Sequence, residues 1–371
     1  MTRAVCFVSL KSYGYFNPDS GFQGGGAERQ IYLLSKALSE SFVVHVIVGD
    51  FDQPERERRD GVILHRAYPL QDRQSVLQPV KHLLLLWDAM RRADADVYAH
   101  RGFLRAAPFT YSMARLLGSR WMFNLANDSH ISEEPATLPA PVRLLYCHAV
   151  RNSDAVVAQT ERQARGMQSE YGVEAHVVPN GYPTAEEPPA VDDRDGFLWV
   201  GRLDEDQKRP HLLLDIAERL PSESFRVAGP AEGYGEYART VVDRAESLPN
   251  VEYLGVVPPD EIHSEYRQAR AVISTSAYEG FPNTFLEAWR QGTPVVSLSV
   301  DPERYLHTGE EAMTATNDLE TLVDRCRRLA SDPDFWLRLS QHSQTGFEEN
   351  YTIDAAARKY AAAIEAALST R

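Results

Sequence analysis

Ala271-Val272-Ile273-Ser274-Thr275, followed by Tyr278-Glu279-Gly280-Phe281-Pro282-Asn283-Thr284-Phe285-Leu286-Glu287-Ala288-Trp289 and then Pro294 to Leu298, is the stretch that decides the fold. A short apolar strand runs into a loop holding a glutamate, a glycine and a proline. An apolar helix starts at Asn283 or Thr284, Gly292 stops it, and a second apolar strand follows. This is the repeating unit of a wound α/β sheet. The loop and first helical turn offer unpaired N–H groups and partial positive charge, and the glycine admits a ligand to the backbone. Glu279 and Glu287 flank it, so the stretch reads as a seat for an anion with a hydroxyl-rich end. The same Glu-x7-Glu spacing recurs at Glu303 and Glu311, so context rather than spacing carries that reading.

Outward from this stretch, short apolar runs alternate with helical patterns along the whole chain. Strands are predicted at 3–10, 43–48, 62–66, 96–100, 120–125, 155–158 and 175–178, with helices at 27–41, 75–93, 104–117, 140–152 and 160–170. Residues 11–26 read as a long glycine-rich loop at the carboxyl end of the first strand, where ligands of such sheets sit. Pro179-Asn180-Gly181-Tyr182-Pro183 and the polar, proline-rich segment 186–193 read as a connector. The pattern restarts with strands at 197–200, 223–228 and 251–254 and helices near 209–220, 232–246 and 259–269, and it ends in helices over 317–370. The expected fold class is α/β, with two wound domains joined by that connector.

Composition narrows the function. Of 371 residues 43% are hydrophobic and 25% charged, which is enough apolar material for a core in each half. The net charge of −14 is carried by the second half: residues 1–180 hold 20 Lys and Arg against 19 Asp and Glu, residues 181–371 hold 19 against 34. An acidic chain is a poor nucleic-acid binder. Cys6, Cys147 and Cys326 lie far apart, without disulfide or zinc spacing, which fits a reducing compartment. No signal peptide or membrane span is expected, and the chain reads as cytoplasmic. Leu83 to Trp87, and Leu144, Leu145 and Tyr146 beside Arg143, His148 and Arg151, are open to two readings: core residues, or peripheral contact of the first domain with the inner face of a membrane.

Several polar groups could carry chemistry. Gly201 and Arg202 follow a strand, and Lys208 opens the next helix. One planar and one compact cation suit a diphosphate, and Lys208 is notable because lysine otherwise occurs only at positions 11, 36, 81 and 359. The other reading pairs both cations with Asp204, Glu205 and Asp206. Thr284 and Glu287 also match a capping box. Gln23-Gly24-Gly25-Gly26-Ala27-Glu28 can turn backbone N–H groups toward a phosphate but lacks both the dinucleotide and the P-loop fingerprints. Asp128 and His130 lie in the loop after the fifth strand, where either a hydroxyl-contacting role or a polar turn is open. No metal-ligand cluster stands out.

Taken together and in order, these motifs resemble the family 4 retaining glycosyltransferases, also described as group 1, of the GT-B type. The residues that carry the likeness are Gly24-Gly25-Gly26-Ala27-Glu28, Val178-Pro179-Asn180-Gly181, Gly201-Arg202 with Lys208, and Glu279-Gly280-Phe281-Pro282-Asn283 with Glu287-Ala288 and Gly292-Thr293-Pro294-Val295-Val296. The resemblance implies two Rossmann-like doubly wound domains, 1–180 and 181–352, facing across a cleft, the second binding a nucleotide-sugar donor and the first a glycan or lipid-linked acceptor. It also implies that a last helix, about 353–371, crosses back to the first domain. Arg202 and Lys208 would hold the diphosphate and Glu279 would face the donor sugar. Gly280, Phe281, Pro282, Asn283 and Thr284 would contact sugar and phosphate, Glu287 the ribose, and Gly25 and Gly26 the phosphate from the other side. No cofactor and no metal are implied. Asn127-Asp128-Ser129-His130 departs from the His-Asp-type sequence of many relatives, which leaves Asp128 and His130 both as catalytic candidates. Thr308-Gly309-Glu310-Glu311-Ala312-Met313 stands in place of the family's usual glycine-containing turn. A sugar-nucleotide epimerase or a non-catalytic nucleotide-sugar binder are the competing readings; a nicotinamide oxidoreductase is disfavoured by the missing fingerprint.

Overall fold

A computed structural model describes residues 3–21, 24–70, 78–102, 104–185, 194–258, 261–306 and 313–369. The expected connector at 186–193, the starts of the helices expected at 75 and 259, Gln23, most of the turn at 308–313, and Glu311 lie outside the described residues. The chain divides into two compact units, Met1–Gly181 with Ile353–Arg371, and Tyr182–Thr352.

The first unit contains β1 (Ala4–Val8), α1 (Tyr13–Phe16), α2 (Gly26–Leu38), β2 (Val43–Asp50), β3 (Arg56–Arg59), β4 (Val62–Pro69), α3 (Gln78–Ala93) and β5 (Val97–Arg101). It continues with α4 (Ala107–Leu116), β6 (Arg120–Asn124), α5 (Glu133–Thr137), α6 (Ala140–Arg151), β7 (Ala155–Ala158), α7 (Glu161–Tyr171) and β8 (Ala175–Val177). Its strands are ordered β3-β4-β2-β1-β5-β6-β7-β8, all parallel except β3, which pairs antiparallel with β4. The period-two geometry of a strand sorts the side chains. Val5 and Phe7 face Ile31, Leu34, Tyr360 and Ile364, whereas Cys6 and Val8 face Leu86, Met90 and Trp121. Both faces are covered, which is why the central strands read as continuous apolar runs.

Two features depart from expectation. The loop expected over 11–26 contains α1 and a 3-10 turn at Pro18–Ser20, because Tyr13 and Phe16 turn into the core. Strand β3, Arg-Glu-Arg-Arg, was not expected: it has no apolar residue, and it survives as a charged edge that discourages further pairing. Within the sheet His45 Nδ1 lies 2.8 Å from His65 Nε2, with both rings buried. Burial, then Arg56 and Arg58, push His45 down to about 4; burial, then His45 and Arg56, push His65 down to about 3.

The second unit contains β9 (Phe197–Val200), α8 (Pro210–Arg219), β10 (Phe225–Ala228), α9 (Gly235–Ser247), β11 (Val251–Gly255), α10 (Ile262–Gln268), β12 (Ala271–Ser274), α11 (Asn283–Trp289), β13 (Val295–Ser297), α12 (Leu319–Ser331) and α13 (Pro333–Asn350). Its five strands run parallel in the order β11-β10-β9-β12-β13. Numbered within the unit this is 3-2-1-4-5, a doubly wound sheet whose direction of winding reverses between β9 and β12. Ligands of such sheets sit beyond the carboxyl ends of the strands at that reversal. The C-terminal helix, Ile353–Ser369, follows α13 and packs in the first unit, on the α2 side of the sheet, through Ala356, Tyr360, Ala363, Ile364 and Ala367. No helix among the described residues is long and apolar enough to cross a membrane.

Candidate functional site

The reversal point of the second unit is built from the loops that follow β9 and β12. Behind them, a Cβ at Gly229 would stand 1.7 Å from the carbonyl oxygen of Gly201, so glycine alone lets the ends of β9 and β10 approach this closely. The loop after β9 then folds on Asp204, whose Oδ1 accepts from the N–H groups of Gln207 at 2.9 Å and Lys208 at 3.1 Å. That Asx-type turn presents the Gln207 and Lys208 side chains toward the neighbouring loop.

Main-chain bonds lock the two loops together. Ala277 N–H donates to the Gln207 carbonyl at 2.8 Å, and the Thr275 hydroxyl donates to the Lys208 carbonyl at 2.7 Å while accepting from the Trp199 indole at 2.9 Å. Arg209, at φ +51°, donates from Nε to the Thr275 carbonyl at 2.8 Å and from Nη2 to the Ser299 hydroxyl at 3.1 Å, tying in the segment beyond β13. Across this frame Lys208 Nζ meets Glu279 Oε1 at 2.5 Å, and the Gln207 amide donates to Glu279 Oε2 at 3.3 Å. The Lys208 and Glu279 side chains keep 16% and 13% of their surface exposed. They are partly shielded, so their interaction is stronger than that of a surface pair, yet a ligand can still reach them.

Of the two readings open for the cations, the structure divides them. Arg202 does face Asp204, at 3.5 Å, and donates to Gln207 Oε1 at 2.6 Å, while half of its side chain is exposed. Lys208 instead pairs with Glu279. Gly280 and Asn283 are partly exposed at the loop, and Thr284 lies inside the first turn of α11. Phe281 and Pro282 are buried, the Phe281 ring packing 5.0 Å from Tyr351, so any ligand contact there falls to the backbone. The capping box on Thr284 does not form, because the helix begins at Asn283 with Pro282 as N-cap. Glu287 is buried and accepts from the Tyr266 hydroxyl at 3.3 Å. At two turns, α11 adds only a short dipole, and the side-chain charges dominate the site.

In the first unit Gly24 approaches the Lys11 carbonyl too closely for a Cβ, which would stand 2.8 Å away. The Gly25 N–H, expected to face a phosphate, donates to Glu28 Oε2 at 2.9 Å; Gly26 starts α2. Asp128 accepts from the Gln163 amide at 2.9 Å and pairs with Arg162 at 3.3 Å. His130 Nδ1 accepts from the Ala126 N–H at 3.3 Å, which leaves the ring proton on Nε2, 3.5 Å from Glu134. Burial, with Arg101 adding and Glu134 opposing, holds His130 below its ordinary value, so the ring is neutral at pH 7. Sequence reasoning missed Gln207, Thr275 and Arg209; adjacency to Lys208 was the only signal for Gln207 and Arg209.

Two family profiles match the chain, one described as Glycosyltransferase Family 4 over residues 24–186 and the other as Glycosyl transferases group 1 over residues 194–332. The chain belongs to glycosyltransferase family 4. Its α/β architecture of two Rossmann-like domains is of the GT-B type. Among curated relatives of this family 4 chain are mannosylfructose-phosphate synthase of Agrobacterium fabrum, 31% identical over 44% of this chain and 42% of that protein, and D-inositol 3-phosphate glycosyltransferase of Corynebacterium urealyticum, 27% identical over 64% and 60%. The matches thus span less than two thirds of the length of these relatives. Among solved structures, sucrose-phosphate synthase from Thermosynechococcus elongatus superposes with a TM-score of 0.80 at 14% identity, covering 98% of each chain. HepE of Anabaena in complex with UDP and glucose superposes with a TM-score of 0.77 at 14% identity, covering 98% of this chain and 99% of that one. At such identities the likeness is one of fold.

Proposed function

We propose that this family 4 chain is a glycosyltransferase that moves a sugar from a nucleoside-diphosphate sugar to a hydroxyl acceptor, with retention of configuration and without a metal, in surface polysaccharide or lipid-linked glycan synthesis. The observation that carries this is the Lys208–Glu279 pair spanning the reversal point of the second sheet, with Arg202 at its edge. The presence of UDP in the HepE complex supports the donor class, and mannosylfructose-phosphate synthase and D-inositol 3-phosphate glycosyltransferase among the relatives support the reaction class.

In this reading the second unit binds the donor. The diphosphate displaces Lys208 partly from Glu279, and Lys208 with Arg202 stabilises the charge that develops as the anomeric C–O bond breaks and the nucleoside diphosphate leaves with the electron pair. Glu279, relieved of part of its partner, accepts from hydroxyls of the donor sugar; backbone groups of Gly280 to Thr284 contact sugar and phosphate. Glu287 takes the ribose hydroxyls, exchanging part of its Tyr266 bond. The acceptor oxygen attacks the face the diphosphate leaves, and its proton passes to the departing phosphate oxygen. In the first unit the Gly25 N–H becomes available to an anion only when Glu28 releases it. Asp128, held by Gln163 and Arg162, is better suited to accept from an acceptor hydroxyl than the buried His130, whose Nδ1 is already occupied.

The test is product analysis over a panel of nucleotide sugars, with and without acceptor glycans, in the presence of a chelator. Product whose new linkage keeps the donor's anomeric configuration supports the reading. Isomerised donor formed without acceptor would replace transfer by epimerisation, and saturable binding without turnover would leave a sensor.

A peripheral membrane contact belongs to the same proposal. Leu86 and Tyr146 are core residues, but Leu84 on α3, Phe109 and Leu116 on α4, and Leu144 and Leu145 on α6 are exposed, and Lys81, Arg143 and Arg151 are exposed among them. Apolar side chains interleaved with cations suit an anionic bilayer surface. Flotation with phosphatidylglycerol vesicles tests it; a protein that stays wholly at the bottom of the gradient removes the membrane clause.

A further inference from the structure

Beyond the donor site, the first unit has a partly open pocket of about 30 Å³ where the carboxyl ends of β5, β6 and β7 meet α2, the segment Val178–Asn180 and the C-terminal helix. Its polar wall consists of Gln30, Arg101, Asn124, Gln159, Asn180 and Tyr360. The side-chain oxygens of the three amides at its centre are taken. Gln30 Oε1 accepts from the Gly181 N–H at 3.0 Å. Asn180 Oδ1 accepts from Arg101 Nη2 at 3.1 Å and from Gln159 Nε2 at 3.0 Å, and Asn124 Oδ1 accepts from the Tyr360 hydroxyl at 3.1 Å. A backbone N–H and a guanidinium can only donate, so the amides of Gln30 and Asn180 have a single workable orientation.

What is left over is one-sided. Gln30 Nε2, Arg101 Nε and Asn124 Nδ2 are enclosed donors with no acceptor, and Gln30 and Asn124 are each only 3% exposed. Arg101 has no carboxylate partner among the described residues, although burial lowers its pKa and Glu28 opposes from a distance. Unpaired buried donors are costly, and an uncompensated buried cation costs more. An anion accepts from Gln30 Nε2, Arg101 Nε and Asn124 Nδ2 without bringing a donor of its own, and it supplies the charge that Arg101 lacks.

We propose that this cavity is a binding site for a small monovalent anion, of the size of chloride or of a carboxylate head, held by Gln30, Arg101 and Asn124. The volume favours small ions: a water-sized group needs about 10–15 Å³ by this measure, so the pocket has room for about two such groups, which suits chloride or a carboxylate head better than sulfate or phosphate. A bound anion ties α2, three strand ends and the Asn180-Gly181 segment into one network. The site is independent of the glycosyl-transfer reading, because it lies in the first unit and its occupancy is read without turnover.

Chloride-35 NMR of the full chain in a HEPES buffer free of small anions reads binding directly, and thermal melting reads its consequence. The wild type is expected to give excess chloride linewidth that saturates and is displaced by formate but not by sulfate, and a melting midpoint that rises with chloride or formate beyond the effect of sulfate at matched ionic strength. Arg101→Met should lose at least tenfold in chloride affinity. Gln30→Glu keeps an acceptor for the Gly181 N–H and places a tethered carboxylate in the cavity. It should melt at or above chloride-saturated wild type and ignore chloride, which keeps the test decisive if Arg101→Met does not fold. Linewidths that never saturate, or the same chloride dependence in Gln30→Glu as in the wild type, would show a water-filled cavity and overturn the proposal.

Discussion

The two units carry the same kind of sheet and spend their polar groups in opposite ways. In the second, the polar residues at the strand ends face the mouth of the reversal point: Lys208, Gln207 and Glu279 contact one another but remain reachable. In the first, the polar residues at the ends of β5, β6 and β7 turn inward, and Asp128 and His130 beyond them are engaged by Gln163, Arg162 and Ala126. The difference lies in the frame. The loops after β9 and β12 are joined by main-chain bonds, so their side chains are released outward. The first unit has the C-terminal helix against its strand ends, and polar groups there must find partners inside. Winding direction marks where a ligand can sit; what covers the strand ends sets how accessible the chemistry is.

Four changes probe this contrast, from the largest expected effect down. Gly229→Ala drives a Cβ into the Gly201 carbonyl and should cost about 4 kcal/mol or more in urea unfolding of the second unit, with the first unit's transition unchanged. A uniform loss across both transitions would deny that the frame is local.

Lys208→Ala removes the shielded cation and should lower kcat/KM about 10²–10³-fold once a donor is known, with stability little altered. Retention of full activity would take the diphosphate away from this loop. Acid should strike the first unit selectively. His45 and His65 are buried and neutral with depressed values, so the unfolded chain takes up protons first. Their contribution is complete above about pH 6.5 and is lost as pH falls toward about 4 and 3, roughly 3 kcal/mol for the first protonation. Unfolding midpoints across that window, compared with those of a His45→Gln, His65→Leu double variant, measure it; parallel pH curves would remove the pair from the account. Arg202→Ala, on a half-exposed side chain, should raise KM about tenfold at most.

Much of the second unit could be read from its residues because strand, glycine and charge occur there in the order in which they act. Apolar runs gave the parallel strands, and Gly201-Arg202, Lys208 and Glu279 fell on the loops the winding brings together. The partners were harder. Nothing in local sequence says that Lys208 reaches across to Glu279 rather than to Asp204, since that depends on an Asx turn and on strand order. Glu287 looked like half of a capping box because local sequence fixes a helix start only to within a residue or two, and the cap falls on Pro282, two residues before Thr284. Strand β3 was invisible because an edge strand needs no apolar side chain. The spent N–H of Gly25 was hidden in the same way, as Glu28 looks like an ordinary first-turn acid. The buried donors around Arg101 arise from contacts over distances such as Asn124 to Tyr360, which periodicity does not encode.

The return of the chain to its first unit has a consequence for synthesis. The polypeptide leaves that unit at Gly181 and rejoins it at Ile353, and the two crossings run side by side, bridged at Tyr182 and Thr352 with the Tyr182 N–H on the Tyr351 carbonyl. The second unit is therefore a closed insertion, complete as soon as residue 352 has emerged. The first unit, although begun earlier, lacks Tyr360, Ala363 and Ile364 from its core until the last turns of the C-terminal helix are made. On a ribosome releasing residues in order, the later unit closes first, and the earlier one waits with part of an apolar sheet face, the part beside α2, uncovered, the interval in which a chaperone has most to hold.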